Sequence, residues 1–186
     1  MDTHGAAHKL TYDDYVNLPD DGLRHEIIGG EHFVTPSPSM KHQRVAVRLL
    51  QALANHLDAT GVGEVFIAPF DVVLSPFDVV VPDLIYLSPD RMRALTSKNL
   101  QGAPSLVVEI LSPSTRGRDL RAKRELYERE DVREYWVVDP DADTVAVYRQ
   151  GTSGFELAAT LSADHDAALS TPEIEGLNIP LRRIFS

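Results

Sequence analysis

"PSLVVEILSPST", residues 104–115, is an apolar run with a glutamate at its centre. Leu106, Val107 and Val108, then Ile110 and Leu111, have the continuous apolar character of a short strand covered on both faces in the middle of a sheet. Glu109 interrupts that run. A lone buried carboxylate is costly unless it is paired or bound to a cation. The run therefore predicts a central strand and, at Glu109, a partner for its charge.

A second apolar run, "DVVVPDLIYL" (78–87), has the same character. Asp83 follows Pro82 directly. Proline removes a ladder hydrogen bond, so the strand is expected to bend or end there. An acid at such a break can face a cleft. Two apolar strands with one carboxylate each suit a shared hard cation; Mg²⁺ takes one or two carboxylates and fills its shell with water and phosphate oxygens. A strand-end acid satisfied by backbone donors or an arginine is the structural alternative for either residue. Asp71 and Asp78, which flank a turn, are read as solvated.

The segment after the central strand, "RDLRAKRELYERE" (118–130), has helical spacing. Leu120, Lys123, Leu126 and Tyr127 share one face. Lys123 thus lies within the stripe expected to pack on the sheet. Either its stem is buried and its head snorkels out, or the ammonium points at the carboxylates of the preceding strand. Asp119 and Lys123 are also spaced for a helix-surface ion pair. The stripe position favours the inward arrangement. "EYWVVDP" (134–140) is a further buried strand, and strand–helix–strand over 105–138 predicts a parallel crossover.

Elsewhere, "TYDDYVNLP" (11–19) predicts a short helix capped by Thr11 and Asp14 and ended by Pro19. Gly29-Gly30 within "LRHEIIGGEHFV" (23–34) marks a hairpin. Val45, Leu49, Leu50, Leu53 and Leu57 recur on one face of a helix from about Ser39 to Ala59, with Gly61 as its stop. "EVFIAPFDVVL" (64–74) reads as a strand, and "SPDRMRALTSKNLQGAP" (88–104) as a loop with a helical turn. "VAVYR" and "GFELAATL" extend the sheet. Leu177, Ile179, Leu181 and Ile184 mark a docked tail. Glu26 alternates with Arg24 and Ile28 on a strand where one face commonly meets water. His42, near a helix start, suits a surface or capping role. No repeat, linker or composition break divides the 186 residues, so one α/β (α+β) domain over 1–186 is expected.

The chain has no cysteine, which excludes disulfides, thiolate zinc sites and a cysteine nucleophile. No apolar run is long enough for a membrane span. "MDTHGAAHKL" lacks the basic and apolar segments of a secretory signal, so a cytoplasmic location is expected. A net charge of −10 weighs against a nucleic-acid partner. Two local basic clusters weigh the other way: Arg116, Arg118, Arg121, Lys123 and Arg124, and Lys41, Arg44 and Arg48. No Gly-rich phosphate loop, nucleophile elbow or cofactor fingerprint is present, which leaves a metal-free small-molecule enzyme without support.

"VPDLIYL", "LVVEILSPSTRGRDLRAKRELY" and "VREYWVVDP", in that order, resemble the restriction-endonuclease family called Uma-two, of the PD-(D/E)XK nuclease superfamily. The likeness runs from "LRHEIIGGEHFVTPSPSMKH" to "EGLNIPLRRIF". It implies a restriction-endonuclease-like fold, a mixed central sheet flanked by helices, and a metal-dependent phosphodiesterase site. By position, Asp83 is the acid of the Pro-Asp motif and Glu109 the second metal ligand, with the Ile110 carbonyl beside it. The superfamily lysine commonly stands two residues after that glutamate. Here the position is Leu111, and Lys123 on the next helix matches the Uma-two arrangement. Glu26 matches an acid before the family's hairpin turn, and His42 a histidine after its proline-serine loop.

The resemblance implies hydrolysis with Mg²⁺, for which Mn²⁺ can substitute, at Asp83, Glu109, Lys123 and Glu26. The implied partner is double-stranded DNA, contacted by Arg116, Arg118, Arg121, Lys41 and His42. Cutting both strands would favour a homodimer, because two-fold partners place two sites on a symmetric duplex. Phe185 of the tail could lie at such an interface or close the core of one chain. The alternative is a catalytically inactive nuclease-like fold that binds or regulates, with the acids kept for structure.

Overall fold

The computed structural model describes residues 8–186. The first seven, on which the reading of the N-terminus partly rests, lie outside the described residues. The order of elements is α1 (Tyr12–Tyr15), β1 (Arg24–Ile28), β2 (Glu31–Thr35), α2 (Met40–Thr60), β3 (Glu64–Ile67), β4 (Val72–Ser75), β5 (Asp78–Val80), β6 (Leu84–Leu87), β7 (Leu100–Gln101) and β8 (Leu106–Ile110). A helical segment follows in three parts, α3 (Arg116–Arg118), a wider π turn (Asp119–Lys123) and α4 (Arg124–Arg129). Then come β9 (Glu134–Asp139), β10 (Thr144–Gly151), β11 (Gly154–Ser162), β12 (Ala168–Thr171), β13 (Ile174–Pro180) and α5 (Leu181–Phe185).

Strand β8 is central, as its apolar run requires. It pairs in parallel with β9 and antiparallel with β6, within a six-stranded sheet ordered β11-β10-β9-β8-β6-β3. The helical segment 116–129 is the crossover between β8 and β9. Alternation along β8 sends Leu106, Val108 and Ile110 to one face, where α2, β13 and α5 cover them. Val107 goes to the other, against Leu126 and Tyr127 of α4 and Val72, Val80 and Leu100. Glu109 shares the face of Val107 by the same period of two.

The sequence did not announce a second sheet of five strands, ordered β2-β1-β5-β4-β7. "EVFIAPFDVVL" is two strands, β3 and β4, and they lie in different sheets. Pro69 between them has no N–H to give a ladder. The chain leaves the five-stranded sheet at β5 and enters the six-stranded one at β6. Val81-Pro82-Asp83 is the joint, so the bend expected at Pro82 becomes the passage between layers.

Local signals act as their chemistry dictates. Gly29 and Gly30 hold φ of 60° and 85°, the left-handed pair that a two-residue hairpin turn requires. Ser39 caps α2 by accepting the His42 N–H (3.2 Å), and Gly61 closes it in left-handed conformation. Thr11 and Asp14 form the expected capping box, although α1 ends at Tyr15, short of Pro19. Leu177, Ile179, Leu181 and Ile184 are buried, and Phe185 packs on the same core.

The expectation for Asp78 fails. Asp78 is buried, not solvated: it accepts hydrogen bonds from Gly29 N–H (2.7 Å), Ser75 Oγ (2.6 Å) and Arg129 Nη2 (3.0 Å). It ties the hairpin turn to the crossover helix. Asp71 is half-buried and accepts from the Tyr15 hydroxyl at 2.9 Å. No helix among the described residues is long and apolar enough to cross a membrane.

Candidate active site

Where the two sheets and the crossover helix meet, a cleft of about 210 Å³ opens. The Thr35–Ser39 loop and the Ser112–Thr115 loop form its mouth. Arg24, Glu26, His42, Asp83, Glu109, Ile110, Arg118, Asp119 and Lys123 line it. Most of the residues singled out in the sequence therefore converge, from β1, α2, the Pro82 joint, the end of β8 and the π turn.

Lys123 points inward. Its Nζ lies 2.7 Å from both Glu109 Oε1 and Glu26 Oε1, and 3.9 Å from Asp119 Oδ1. The Asp119–Lys123 pair is thus buried and the longest of the three, not a surface pair. The π turn accounts for the aim, since an extra residue in one turn rotates the side chains that follow, and such turns recur at functional sites. Tyr127, on the next turn, donates its hydroxyl to Glu109 Oε1 at 2.7 Å. Glu26 is not on a wet face: it is 1% exposed and also accepts the Val81 N–H at 2.9 Å.

Asp83 forms the second half of the site. Its Oδ1 accepts from Arg24 Nη1 (3.0 Å), and its Oδ2 meets His42 Nε2 (3.0 Å) and the Ile110 N–H (2.8 Å). His42 is therefore neither a surface residue nor a simple cap; its ring is buried beneath Asp83. Asp83 has recruited the arginine and the backbone donor that a structural acid would use, while still lining the cleft.

The electrostatics separate the two acids. Burial alone would raise the Asp83 carboxyl, but His42, Arg24 and the Ile110 N–H outweigh it and hold the group below its ordinary range. Burial pushes Glu109 up to about 8, against the pull of Lys123, and Asp119, Asp83 and Glu26 push the same way. Burial works against the Lys123 charge, yet Glu109, Glu26 and Asp119 together keep its pKa above the ordinary value. Burial likewise raises Asp119.

The cluster is incompletely paired on both sides. Glu26 Oε2 and Asp119 Oδ1 are buried without a hydrogen-bond partner, and so are His42 Nδ1 and Arg118 Nε. Arg118 Nη2 approaches Glu26 Oε2 to 3.3 Å but directs its hydrogen bond to Thr35 Oγ1 (2.6 Å). Both bonds to Glu109 fall on Oε1. Among the described residues no three His, Asp or Glu side chains form a ready metal cage. A Mg²⁺ site does not demand one, since two carboxylates with water and phosphate suffice. Orphaned carboxylate oxygens in a cleft with Asp83 and Glu109 fit a hard cation.

Three cationic residues stand apart from this cleft. Lys41 is exposed and pairs with Asp141 at 3.4 Å, Arg116 is exposed and pairs with Asp139 at 2.7 Å, and Arg121 is exposed on the crossover helix. Arg118 is held inward, with its guanidinium 5.2 Å over the Phe33 ring. Arg24, Asp119 and Tyr127 had not been assigned to the site. Spacing carried the signal for each: Arg24 and Glu26 are two apart on one strand, and Asp119, Lys123 and Tyr127 are four apart on one helix.

Comparisons with known proteins bear on the fold and the family. A putative nuclease of the DUF820 family from Anabaena variabilis superposes with a TM-score of 0.79, covering 95% of this chain and 97% of that one at 20% identity. At that identity the likeness establishes the fold, a nuclease-like one, as the sequence led us to expect. An uncharacterized protein of Synechocystis sp. is 27% identical over 151 residues, 78% of this chain and 77% of its own length. The sequence matches the Uma2 family over residues 12–182, nearly its whole length, and so the chain belongs to that family, described as "Putative restriction endonuclease".

Proposed function

We propose that the chain is a Mg²⁺-dependent endonuclease that hydrolyses phosphodiester bonds in double-stranded DNA. The observation that carries the proposal is the acid cluster itself: Asp83 and Glu109 line one cleft with two buried carboxylate oxygens that no protein donor satisfies. Each such oxygen costs about 1–3 kcal/mol if left bare. Membership of a nuclease family supports the reaction class.

Asp83 and Glu109 would hold the cation, with the Ile110 carbonyl and Glu26 completing the protein's share; Mn²⁺ would take the same donors. A bound divalent ion polarises a phosphate oxygen and lowers the pKa of a coordinated water. The chain's own residues do the rest. Arg24 and His42 fix both oxygens of Asp83, which sets its orientation. Lys123 stays charged and offsets negative charge growing on the phosphate. Tyr127 and the covering apolar residues keep the floor of the cleft dry. Arg116, Arg121 and Lys41 lie outside the cleft, where their exposed side chains can reach backbone phosphates; the exposed Lys41–Asp141 pair is weak enough to yield to them. Arg118 and His42 would meet the strand only at the cleft itself. Cleavage of both strands calls for two clefts, which a two-fold pair of chains would supply.

One observation favours a second reading. Asp83, Glu26 and Glu109 each already have a cationic partner within the chain, as in a closed structural network. A binding module that kept the acids for structure would look like this. Calorimetry separates the two. Mn²⁺ or Mg²⁺ is titrated into the parent and into the Asp83→Ala, Glu109→Ala double variant, followed by cleavage assays on plasmid DNA. Binding lost in the double variant, with metal-dependent nicking by the parent, is the expected result. No binding by either, and no metal-dependent rise in melting temperature, would leave the module.

A further inference from the structure

Lys123 occupies the oxygens that a cation would need. Its ammonium is 2.7 Å from Glu109 Oε1 and 2.7 Å from Glu26 Oε1. A divalent ion bound there repels it at close range in a poorly solvated site. The lysine is 3% exposed, so it has no short route to water. Loading of the site therefore requires a second place for the ammonium.

Asp119 has the properties of that place. It is 1% exposed, and its Oδ1 is buried without a hydrogen-bond partner 3.9 Å from Lys123 Nζ. A movement of about 1 Å would bring the two into hydrogen-bond range. Asp119 is the fixed partner. Its carbonyl accepts the Tyr135 hydroxyl at 3.0 Å and its N–H bonds to the Thr115 carbonyl at 3.0 Å. Lys123 is the movable one, a point charge on a flexible four-carbon stem. The two residues stand at the ends of the π turn that spans 119–123.

We propose that Asp119 is a positioning residue that receives the Lys123 ammonium when a divalent cation takes Glu109 and Glu26. The inference rests on the metal site proposed above. It gives Asp119, which is not among the proposed metal ligands, a part in loading the site. It also gives Lys123 two roles, as placeholder on the acids in the metal-free protein and as a retracted charge beside the phosphate when loaded.

A double-mutant cycle on metal affinity tests it, with Mn²⁺ alone as the probe and calorimetry as the readout. The chains are the parent, Asp119→Asn, Lys123→Met and the double variant, each checked for folding by its thermal melt. If Lys123→Met does not fold, Lys123→Gln takes its place. Asp119→Asn is expected to weaken Mn²⁺ binding about tenfold when Lys123 is present. In the Lys123→Met background the same change is expected to alter it less than about twofold, because no ammonium needs a new anchor. An equal loss in both backgrounds would mean that Asp119 acts on the metal directly, and would overturn the proposal. So would an Asp119→Asn protein that binds as tightly as the parent. If the parent binds no Mn²⁺, the metal site falls and this inference with it.

Discussion

Glu134 and Glu109 lie on neighbouring strands of one sheet, both buried, and they are treated in opposite ways. Glu134 gives one oxygen to the Trp136 indole N–H and the other to Arg149 Nε at 2.7 Å. Its arginine is 40% exposed and reaches water, so the pair costs little desolvation on that side. Glu109 takes Lys123 and Tyr127 on a single oxygen, both fully inside, and sits among acids that retain unpartnered atoms. Asp78 belongs with Glu134: three donors divide its two oxygens. The fold satisfies a buried acid completely at two places, and around the third it leaves Glu26 Oε2 and Asp119 Oδ1 without a hydrogen-bond partner, which supports the ligand site proposed above. Burial of charge alone does not distinguish a site from a strut; the balance of donors does.

The comparison breaks most visibly in activity. Asp83→Ala should reduce metal-dependent DNA cleavage by about 100-fold or more, whereas Glu134→Gln should leave the rate per folded molecule within about twofold. Nicking of supercoiled plasmid, scored against the folded fraction, reads both. If the Glu134 variant lost as much as the Asp83 variant, the division between site and strut would be wrong.

Stability should respond the other way round. Glu134→Ala leaves the Trp136 N–H buried without an acceptor and should cost about 2 kcal/mol in a urea titration. Glu109→Gln in the metal-free protein should cost much less, since it also removes a charge that burial disfavours.

The pH dependence of Glu109 sharpens that point. Its carboxyl is pushed from an ordinary 4.5 up to about 8. A group raised in the folded state contributes its full stability below the ordinary value and loses it as pH rises through the folded one. The metal-free parent should therefore lose stability relative to Glu109→Gln between pH 4.5 and about 8, by a few degrees in melting temperature. Parallel melting curves for the two proteins across that window would remove the claim that Glu109 is held at a cost.

The smallest effect concerns the exposed pairs. Lys41→Ala should change stability by less than about 0.5 kcal/mol, because its pair with Asp141 is solvent-exposed, and Arg116→Ala by somewhat more, because Asp139 is only 13% exposed. Each should lower DNA affinity and flatten its dependence on salt. An unchanged salt slope in both would take these residues out of the nucleic-acid interface.

Much of this was legible in one dimension. The continuous apolar run around Glu109 determined a central strand, Pro82 the break beside Asp83, and the Leu126–Tyr127 stripe the inward face that carries Lys123. Gly29-Gly30, Ser39 and Gly61 marked turns and helix ends by local sterics. These signals depend on neighbours within a few residues, and the sequence holds those neighbours in order. Glu26 and His42 were different. Nothing local distinguishes a glutamate on a half-wet strand from one that meets a lysine 97 residues later, and His42 looked like a cap until Asp83 closed over it.

The sequence by itself thus determined which segments form strands and helices, which faces of them are apolar, and which acids stand where acids are costly. The tertiary structure decided that the site lies between a five-stranded and a six-stranded sheet, that Pro82 is the passage between them, and that Asp78 is a strut while Asp119 Oδ1 is left without a hydrogen-bond partner. The physical reason is the range of the interactions. Period and propensity act along the chain. Whether a buried carboxylate is satisfied depends on donors brought from β1, α2 and the crossover helix, whose meeting is settled only when the two layers pack.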